Sequence, residues 1–537
     1  MNAIIGAMRQ VAANPSLRRV AAGWLASIAA EWTFVVALLV IAHEFGGVVG
    51  VAVVTTARML PAALLAPALA ALADRHPRAR VLVGVHAARA VCIGLAAAAQ
   101  AAGVPALIVA AAVAEGIVAA LNRPTTLALQ PELSRSPGEL IAANAVTSSG
   151  EAIGVLVGPA LGGVLMALSG ATLAMAVGAA GFVVAALAVR PLNAPAAARP
   201  ASVSGPADRS AAAYTDLLRY PAAGLVLALF TAQTLVRGAF TVLLVAASVE
   251  LLGLGRSGLG FLTAAQGAGA VAGAVLAFGL VGGRRLAVTF SICLALWGLP
   301  IALIGAVPAV AFAFGGLAVI GAANALLDVA GFTLMLRSVP NVLRGRLFGV
   351  LEALVGLSVT LGSLAAPLLV VILGLPTALV AVGLLLPTLA LLTSVWVART
   401  QAATAVPDRE LALVRGISLF APLSLAAQER LAAAMQPLRV AAGEAIVVEG
   451  EPGEAYFIIA AGRVEVTRGG ARLRELGPGE AFGETALLRD VPRTATVRAI
   501  EPAELRRLDR VDFLDAVLGT PASASEAHHV AEAHLAH

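Results

Sequence analysis

The sequence predicts an all-α polytopic membrane domain of about twelve transmembrane helices, followed by a small α+β domain with a β-roll. Three observations support this fold class. The 537 residues are 60% hydrophobic and only 12% charged, with a mean hydropathy of +0.92, which is typical of a multi-pass membrane protein. Apolar stretches of bilayer-crossing length recur through most of the chain. The C-terminal part instead has short runs of Val, Ile, Tyr and Phe between glycines, a pattern of strands and turns.

The apolar stretches predict about twelve helices. Each is near the length of ~20 residues at which a helix crosses the hydrocarbon core while satisfying its own backbone hydrogen bonds. Many of their residues are small, which allows helices to approach closely in lipid. The predicted spans are 20–42, 48–72, 81–101, 104–126, 140–168, 171–190, 221–246, 258–281, 285–305, 308–336, 346–373 and 376–398.

A polar Ala/Pro/Ser-rich segment in the middle of this region predicts a cytoplasmic linker between two six-helix halves. The halves repeat, because the string GVLVGPALGGVLM from Gly154 resembles GSLAAPLLVVIL from Gly362. Parallel six-helix repeats are typical of secondary transporters with a site between the halves. The predicted divisions are a membrane domain 1–398 with halves 17–190 and 217–398, a linker 191–216, a connector 399–410, a second domain 411–520 and a flexible tail 521–537.

Arginines are concentrated in every second connection between the spans. The loop with Arg75, Arg78 and Arg80 is one example, whereas the intervening loops have almost none. Since cytoplasmic loops carry the excess of basic residues, we expect both termini in the cytoplasm and the spans in the inner membrane. The same distribution accounts for the net charge of +5, so no nucleic-acid partner is expected.

The stretch FGETALLRDVPRTAT, residues 482–496, has the residue types of an anion site. Gly483 permits close approach to the main chain, and Glu484 offers two acceptors to a sugar hydroxyl. A short helical turn follows whose N–H groups suit phosphate, and Arg493 returns a guanidinium fork to the same anion. A surface hairpin with an ion pair between Glu484 and Arg493 is the alternative. The candidate residues are Gly483, Glu484, Thr485, Ala486, Arg493, Thr494 and Ala495.

From about Leu411 to Val517 the chain resembles cyclic nucleotide-binding domains, because its GE(x)A and PR(S/T/A)A strings form the phosphate-binding cassette of that family. The resemblance implies that Glu484 binds the ribose 2′-hydroxyl and Arg493 the cyclic phosphate. It implies a regulatory ligand, cAMP or cGMP, with cAMP favoured, although Thr494 could hydrogen-bond a guanine edge. The helix that covers the base in this family is short here, since Pro521 interrupts it.

The loop from Ala70 to Arg80 contains Asp74, Arg75 and Arg78 in the spacing D-R-x-x-R. This loop is similar to the motif G-x-x-x-D-R-x-G-R of the major facilitator superfamily and departs from it at both glycines. Residues 17–398 resemble that superfamily. The resemblance implies that these charges form a latch between helix ends that opens and closes during transport. A plain positive-inside loop is the alternative.

The string Gly154-x-x-x-Gly158-Pro159-x-x-Gly162-Gly163 resembles the fifth-helix motif of exporters in the same superfamily. Glycines four apart share a helix face that permits backbone contact, and the proline among them bends the helix. The resemblance favours export of a small molecule or a lipid-like metabolite. The residues are Gly154, Gly158, Pro159, Gly162 and Gly163.

Charged residues also lie inside the spans, where burial in lipid is costly and a functional role is the first hypothesis. Glu31 lies at a depth where exporters of this superfamily often have a proton-titrating acid, and Arg58 could join the gate or meet an anionic substrate. Buried ion pairs that fix packing are the alternative. The transport and proton-coupling candidates are Glu31, Arg58, Glu115, Arg123 and Glu151, and further charges in the spans are Arg89, Arg237, Asp328 and Glu352.

Together with the resemblances, these patterns imply a proton-coupled exporter regulated by a cyclic nucleotide. A membrane-anchored receptor that does not transport is the alternative. No nucleophile elbow or Walker loop is recognisable, and the soluble part has no acid pair, so we do not expect an enzyme. No cofactor or metal is expected either, because Cys92 and Cys293 lie far apart in apolar spans and the tail histidines suit a solvated segment. Those histidines are His528, His529, His534 and His537.

Overall fold

The computed structural model describes residues 2–73, 75–192, 220–277, 286–339, 341–404, 408–421, 423 and 425–518. The chain forms two compact units, Met1–Ala403 and Thr404–His537. The first unit is helical, and the second contains two four-stranded sheets with short helices. The predicted fold class, a helical membrane domain followed by a small domain with strands, is confirmed.

The first unit consists of long apolar helices. Within the described residues, eleven helical segments are long and apolar enough to cross a membrane. A π-helical turn, Ala247–Leu251, continues one of them. The helices are α1 Asn2–Ala13, α2 Pro15–Ala73, α3 Arg78–Ala101, α4 Pro105–Ala119, α5 Asn122–Leu133, α6 Pro137–Ser169, α7 Ala171–Val189, α8 Pro221–Ala246, α9 Gly255–Ala277, α10 Leu286–Ala306, α11 Val310–Ser338, α12 Asn341–Leu373 and α13 Leu375–Thr404.

Helix α2 contains both of the first two predicted spans. Its geometry is interrupted at Gly46 and Gly47, where the φ of Gly47 is 55°, a left-handed value that glycine adopts without steric cost. The two limbs approach closely beyond this pair, since a Cβ on Gly50 would lie 2.2 Å from the carbonyl oxygen of Ala42. The two glycines therefore end one crossing and begin the next, so the eleven described segments provide twelve crossings.

Each half of the first unit contains a helix crossing at which a side-chain hydroxyl of one helix donates to a backbone carbonyl oxygen of the other. In the first half, Gly158 of α6 faces α2, and the Thr33 hydroxyl donates to its carbonyl oxygen at 3.0 Å. In the second half, α8 and α12 cross, and the Ser363 hydroxyl donates to the carbonyl oxygen of Gly238 at 3.1 Å. The partners in both pairs are 125 residues apart, so a shift of 205 positions carries one pair onto the other. The donor lies on the earlier helix in the first half and on the later helix in the second.

The second unit begins with two helices and continues with antiparallel strands. The sheets have the strand orders β1-β8-β3-β6 and β2-β7-β4-β5. A 3-10 turn, Ser418–Phe420, separates the first two helices. The elements are α14 Asp408–Gly416, α15 Leu425–Ala434, β1 Gln436–Val440, β2 Ala445–Val447, β3 Ala455–Ala461, β4 Val464–Arg468, β5 Ala471–Leu476, β6 Ala481–Phe482, α16 Glu484–Arg489, β7 Thr496–Ala499, β8 Ala503–Asp509 and α17 Arg510–Leu518.

Strand β3 is buried on both faces. Because side chains alternate along a strand, its residues join two different apolar clusters. Phe457 and its neighbours on one face join the apolar cluster between the sheets. Tyr456, on the other face, packs against Phe420 and Phe513 with ring centroids 5.7 and 4.7 Å away. Leu487 of α16 belongs to this second cluster as well. The second cluster therefore connects the short helix α16 to the helices at both ends of the unit.

Candidate functional site

A cavity of about 290 Å³ lies in the second unit beside α16. One continuous segment supplies its polar wall, with β6 and α16 on one side and the loop before β7 on the other. All seven residues predicted from the sequence line this cavity, namely Gly483, Glu484, Thr485, Ala486, Arg493, Thr494 and Ala495.

Gly483 joins β6 to α16 at the polar wall. Its φ is 100°, within the left-handed region where a Cβ causes strain. A Cβ at this position would also lie 2.6 Å from Nη1 of Arg493. The position therefore favours glycine for two reasons, the backbone angle and the close approach of a guanidinium group.

Arg493 is 6% exposed, and its guanidinium group is held at the cavity wall. Nη1 donates to the carbonyl oxygen of Gly483 at 3.0 Å, and Nη2 donates to that of Ala455 at 2.6 Å. The backbone N–H of Arg493 donates to the backbone carbonyl oxygen of Glu451 at 2.8 Å, which fixes the loop. Burial lowers the pKa of Arg493, but an arginine still carries its proton at neutral pH. The cavity thus contains a fixed positive charge.

Helix α16 places its first turn at the same wall. Its first three residues are at most 8% exposed. The N–H groups of a first helical turn have no acceptor within their own helix, so they can donate to an anion. The Glu484 carboxylate lies beside this turn and lines the cavity, where it can accept a hydrogen bond from a hydroxyl group. The wall therefore suits a ligand with a phosphate and a neighbouring hydroxyl.

The opposite wall is apolar and was not predicted. It is formed by Val447, Val466, Leu473 and Val497. These residues come from four strands of one sheet, so a sequence pattern shows that they are buried but not that they share a wall. Arg468 and Arg474 lie at the edge, and Nε of Arg468 donates to the carbonyl oxygen of Thr494 at 3.2 Å. An apolar surface opposite a cation suits a flat ring joined to a phosphate.

The predicted base-covering segment is described only as far as Leu518, where α17 ends. Residues 519–537, which include the four tail histidines, lie outside the described residues. Within the described part of the chain, no group of three or more His, Cys, Asp and Glu side chains could hold a metal ion. Cys92 and Cys293 are free thiols.

A second cavity, of about 490 Å³, lies between the two halves of the first unit and is called the central cavity below. Helices α2 and α6 of the first half and α8, α9, α10 and α12 of the second contribute to its wall. Four tryptophan or phenylalanine side chains line it, which are Trp24, Trp32, Phe240 and Trp297. The charged residues in its wall are Glu31, Arg58, Arg123, Glu151 and Arg237.

Four charges of the first half form one ion-pair cluster. The Glu31 carboxylate lies 3.0 Å from Nη2 of Arg58 and 2.9 Å from Nη2 of Arg89. The Glu115 carboxylate accepts hydrogen bonds from Nε of both arginines, each at 2.8 Å. The Glu31 side chain is 26% exposed, whereas that of Glu115 is completely buried. Glu31 is therefore the acid of the cluster that faces the central cavity.

The remaining charges in the spans are distributed over both halves. Arg123 of α5 pairs with Glu151 of α6 at 3.1 Å. Arg237 of α8 lines the central cavity from the other half. Asp328 of α11 accepts a hydrogen bond from Nδ2 of Asn324 at 3.0 Å. Four of the five transport candidates thus line the cavity, namely Glu31, Arg58, Arg123 and Glu151. The fifth, Glu115, is buried and contacts Arg58.

The predicted latch residues are placed only in part. Asp74 lies outside the described residues, and Arg75 is exposed. Nη1 of Arg78 donates to the Glu132 carboxylate at 2.8 Å and to the carbonyl oxygen of Ala128 at 2.7 Å. Both acceptors belong to α5, so Arg78 connects α3 to another helix of its own half.

The glycine motif on α6 contacts helices of both halves. Gly154, Gly158 and Gly162 face α2, where added Cβ atoms would lie 2.4, 2.5 and 3.3 Å from atoms of that helix. Gly163 and Pro159 face α9 of the second half, and a Cβ on Gly163 would lie 3.0 Å from a carbonyl oxygen there. The stripe permits close packing within the first half, and the adjacent residues form a close contact between the halves.

Family models match both units. Residues 20–284 match the Major Facilitator Superfamily, and residues 437–518 match the Cyclic nucleotide-binding domain. The chain joins a Major Facilitator Superfamily domain to a cyclic nucleotide-binding domain. Both resemblances stated from the sequence are confirmed, and the chain is a multi-pass membrane protein.

Similar proteins match the cyclic nucleotide-binding domain. A cAMP-dependent protein kinase regulatory subunit of Yarrowia lipolytica is 38% identical over 95 residues, 18% of this chain and 25% of that protein. A cGMP-dependent protein kinase of Eimeria tenella is 39% identical over 113 residues, 21% of this chain and 11% of that protein. The regulatory domain of Toxoplasma gondii PKA, solved with cAMP, is 31% identical over 20% of this chain and 42% of that chain, with a TM-score of 0.19. The chain thus spans a quarter or less of these two curated relatives.

Proposed function

We propose that this chain is a secondary active transporter whose transport cycle is regulated by a cyclic nucleotide. The observation that carries the proposal is the meeting of Arg493, Glu484 and the first turn of α16 in one cavity. A cyclic phosphate would lie against Arg493 and α16, and the ribose hydroxyl would lie against Glu484. The purine would then lie on the apolar wall. The single negative charge of a cyclic phosphate matches the fixed charge of the guanidinium group.

The second unit contains a route by which the ligand would act on the chain. Leu487 of α16 packs in the same apolar cluster as Val414 of α14 and Phe420. A ligand that moves α16 would therefore move α14, which follows the last membrane helix in the sequence. Coupling free energies between sites are typically ~1–3 kcal/mol, so we expect a several-fold change in transport rate.

The proposed ligand is cAMP, with cGMP as a second candidate. The sequence resemblance favours cAMP. Thr494 and Arg474 line the cavity, however, and an arginine can donate two hydrogen bonds to the O6 and N7 atoms of guanine. Competition between the two nucleotides for the wild-type protein, repeated with Arg474→Ala, decides between them. Loss of cGMP affinity alone in the variant would assign guanine recognition to Arg474.

The transported molecule is proposed to leave the cell in exchange for protons. Glu31 supports proton coupling because it faces the central cavity and bridges Arg58 to Arg89. A proton that neutralises Glu31 would remove one of the two carboxylates that hold these arginines together. The test is proton flux into liposomes with a pH-sensitive dye, in which Glu31→Gln should abolish coupling. Unchanged coupling would exclude Glu31.

Cyclic nucleotides are cytoplasmic messengers, so the proposal places the second unit and both termini in the cytoplasm. The membrane domain, residues 1–398, would lie in the inner membrane with its linker 191–216 on the same side. The nucleotide-binding domain would span 411–520, after the connector 399–410.

The regulatory claim is tested on the full-length protein in liposomes. Nitroxide labels at Phe45 and Val307, which are exposed residues of the two halves, would report their separation by electron–electron double resonance. Both native cysteines are replaced by alanine beforehand. We expect cAMP or cGMP to change the distance distribution in the parent and to have no effect in Arg493→Ala. The same distribution with and without nucleotide in both proteins would refute regulation.

A further inference from the structure

Arg237 is a cation in the wall of the central cavity without an ion-pair partner. It lies on α8, partly buried, and within the described residues no carboxylate is within 4.0 Å of its guanidinium nitrogens. Asp328 and Glu352 act on it only over longer distances. Since a cation inside a membrane domain is costly without a partner, this side chain requires a negative charge that the cavity itself does not provide at contact distance.

The other arginines of the wall are already neutralised. Arg58 contacts both Glu31 and Glu115, and Arg123 contacts Glu151. The wall therefore has three arginines and two carboxylates, and both carboxylates are occupied by partners other than Arg237. An anion that enters the cavity would find its unmatched positive charge at Arg237.

The surroundings of Arg237 also indicate the rest of the ligand. Trp32 of α2 and Arg237 of α8 both line the cavity, so the first half presents an indole and the second half a guanidinium group. Trp297 and Phe240 add further aromatic surface. Such a wall suits a flat apolar body next to an anionic group.

Building on the proposed transport function, we infer that Arg237 is the binding subsite for the anionic group of an amphipathic cargo. The cargo class is a small molecule, or a lipid, with one carboxylate, sulfonate or phosphate and an aromatic or apolar body. The guanidinium fork of Arg237 holds the anion with paired hydrogen bonds, and Trp32, Trp297 and Phe240 hold the body. Arg58 and Arg123 remain with their own carboxylates.

The test measures equilibrium binding to the full-length protein in phosphatidylcholine nanodiscs. The probes are dansylate, the neutral dansylamide and the cationic N-(2-aminoethyl)dansylamide, which share one fluorophore. Energy transfer from tryptophan reports binding, because Trp24, Trp32 and Trp297 line the cavity. The variants are Arg237→Gln and Arg237→Lys. Arg190→Gln is the matched control. Arg190 is exposed at the end of α7, so its substitution removes the same charge at a site away from the cavity.

We expect Arg237→Gln to weaken dansylate binding about tenfold or more, the effect of losing one charge-assisted hydrogen-bonded contact. Arg237→Lys should bind dansylate more weakly than wild type but keep the preference for dansylate over the cationic probe, because the charge remains and the paired hydrogen bonds are lost. Dansylamide binding should be nearly the same in all variants. Competition by added phosphatidylglycerol would identify a lipid headgroup as the anion, and no competition would identify a soluble anion.

Three outcomes would overturn the inference. These are equal dansylate affinity in wild type and Arg237→Gln, tighter binding of the cationic probe than of dansylate by wild type, or no saturable energy transfer with any probe. The comparison of probe charges in wild type and Arg237→Lys remains decisive if Arg237→Gln does not fold. If transport depends on nucleotide but Arg237→Gln does not change the preference for dansylate over the other probes, only the subsite is refuted. If that preference depends on Arg237 but no transport occurs, only the transport function is refuted.

Discussion

Replacement of Gly483 by alanine separates the two reasons for glycine at the nucleotide site. The backbone at this position has a φ of 100°, and an L-residue with a Cβ loses roughly 1–2 kcal/mol in the left-handed region. The added Cβ would also lie 2.6 Å from Nη1 of Arg493, so the guanidinium group must move. A displaced guanidinium group loses a charge-assisted hydrogen bond to the phosphate, worth about 1.5–3 kcal/mol. Nucleotide affinity should therefore fall about 10- to 150-fold.

Gly479→Ala provides the matched control for this experiment. Gly479 has a φ of 87°, but no atom lies within 4 Å of the position that its Cβ would take. Both variants should lose roughly 1–2 kcal/mol of stability in the second unit, because both impose left-handed strain. Only Gly483→Ala should lose affinity, since only its Cβ meets Arg493.

The assay is isothermal titration of the detergent-purified full-length protein with cAMP and with cGMP. Stability is followed by scanning calorimetry, because the four tryptophans all belong to the first unit and do not report on the second. Nucleotide affinity in Gly483→Ala within about threefold of that in Gly479→Ala would refute the assignment of Arg493 to the phosphate, because such a change is well below the loss of one hydrogen bond.

Three further predictions follow from the ion pairs and the sugar contact. Glu484→Gln should weaken cAMP binding about 5- to 30-fold. The analogue 2′-deoxy-cAMP should bind wild type and Glu484→Gln equally, because it lacks the hydroxyl group that donates to the carboxylate. Unequal binding of this analogue would contradict the contact. Glu115→Gln should destabilise the membrane domain by about 3–5 kcal/mol in thermal unfolding, since it leaves the buried Arg89 and the partly buried Arg58 with one carboxylate. An unchanged melting temperature would contradict the cluster. Arg256→Glu should destabilise the contact between the halves by ~0.2–1 kcal/mol because Arg256 pairs with Glu44. The double exchange with Glu44→Arg should restore the distance distribution between the halves. Failure to restore it would show that the pair does not hold the halves together.

Much of the fold could be predicted because hydropathy defines the membrane helices. The first two predicted spans are the two limbs of α2, and the glycines between them are the turn. The span predicted at 104–126 instead comprises two helices, Pro105–Ala119 and Asn122–Leu133. The composition changes from apolar to polar at this break, but a window of about 20 residues averages over the change and predicts one span.

The ion-pair cluster could not be predicted as one unit. Glu31, Arg58, Arg89 and Glu115 lie on helices with apolar residues all round, so the sequence indicates their depth but not the direction of their side chains. The nucleotide residues were easier, because one continuous segment from Gly483 to Ala495 supplies them and local backbone geometry brings them together. The apolar wall needs the pairing of four strands, which no local pattern encodes.

The ion-pair cluster has an electrical consequence. Moving one elementary charge through a potential of 100 mV costs or releases about 2.3 kcal/mol. The two carboxylates and two guanidinium groups around Glu31 cancel, so their displacement across the membrane field does no net work. Arg237 has no such counterpart at contact distance. Movement of α8 with a bound monovalent anion would be electrically silent, and its return without cargo would be driven or opposed by the membrane voltage.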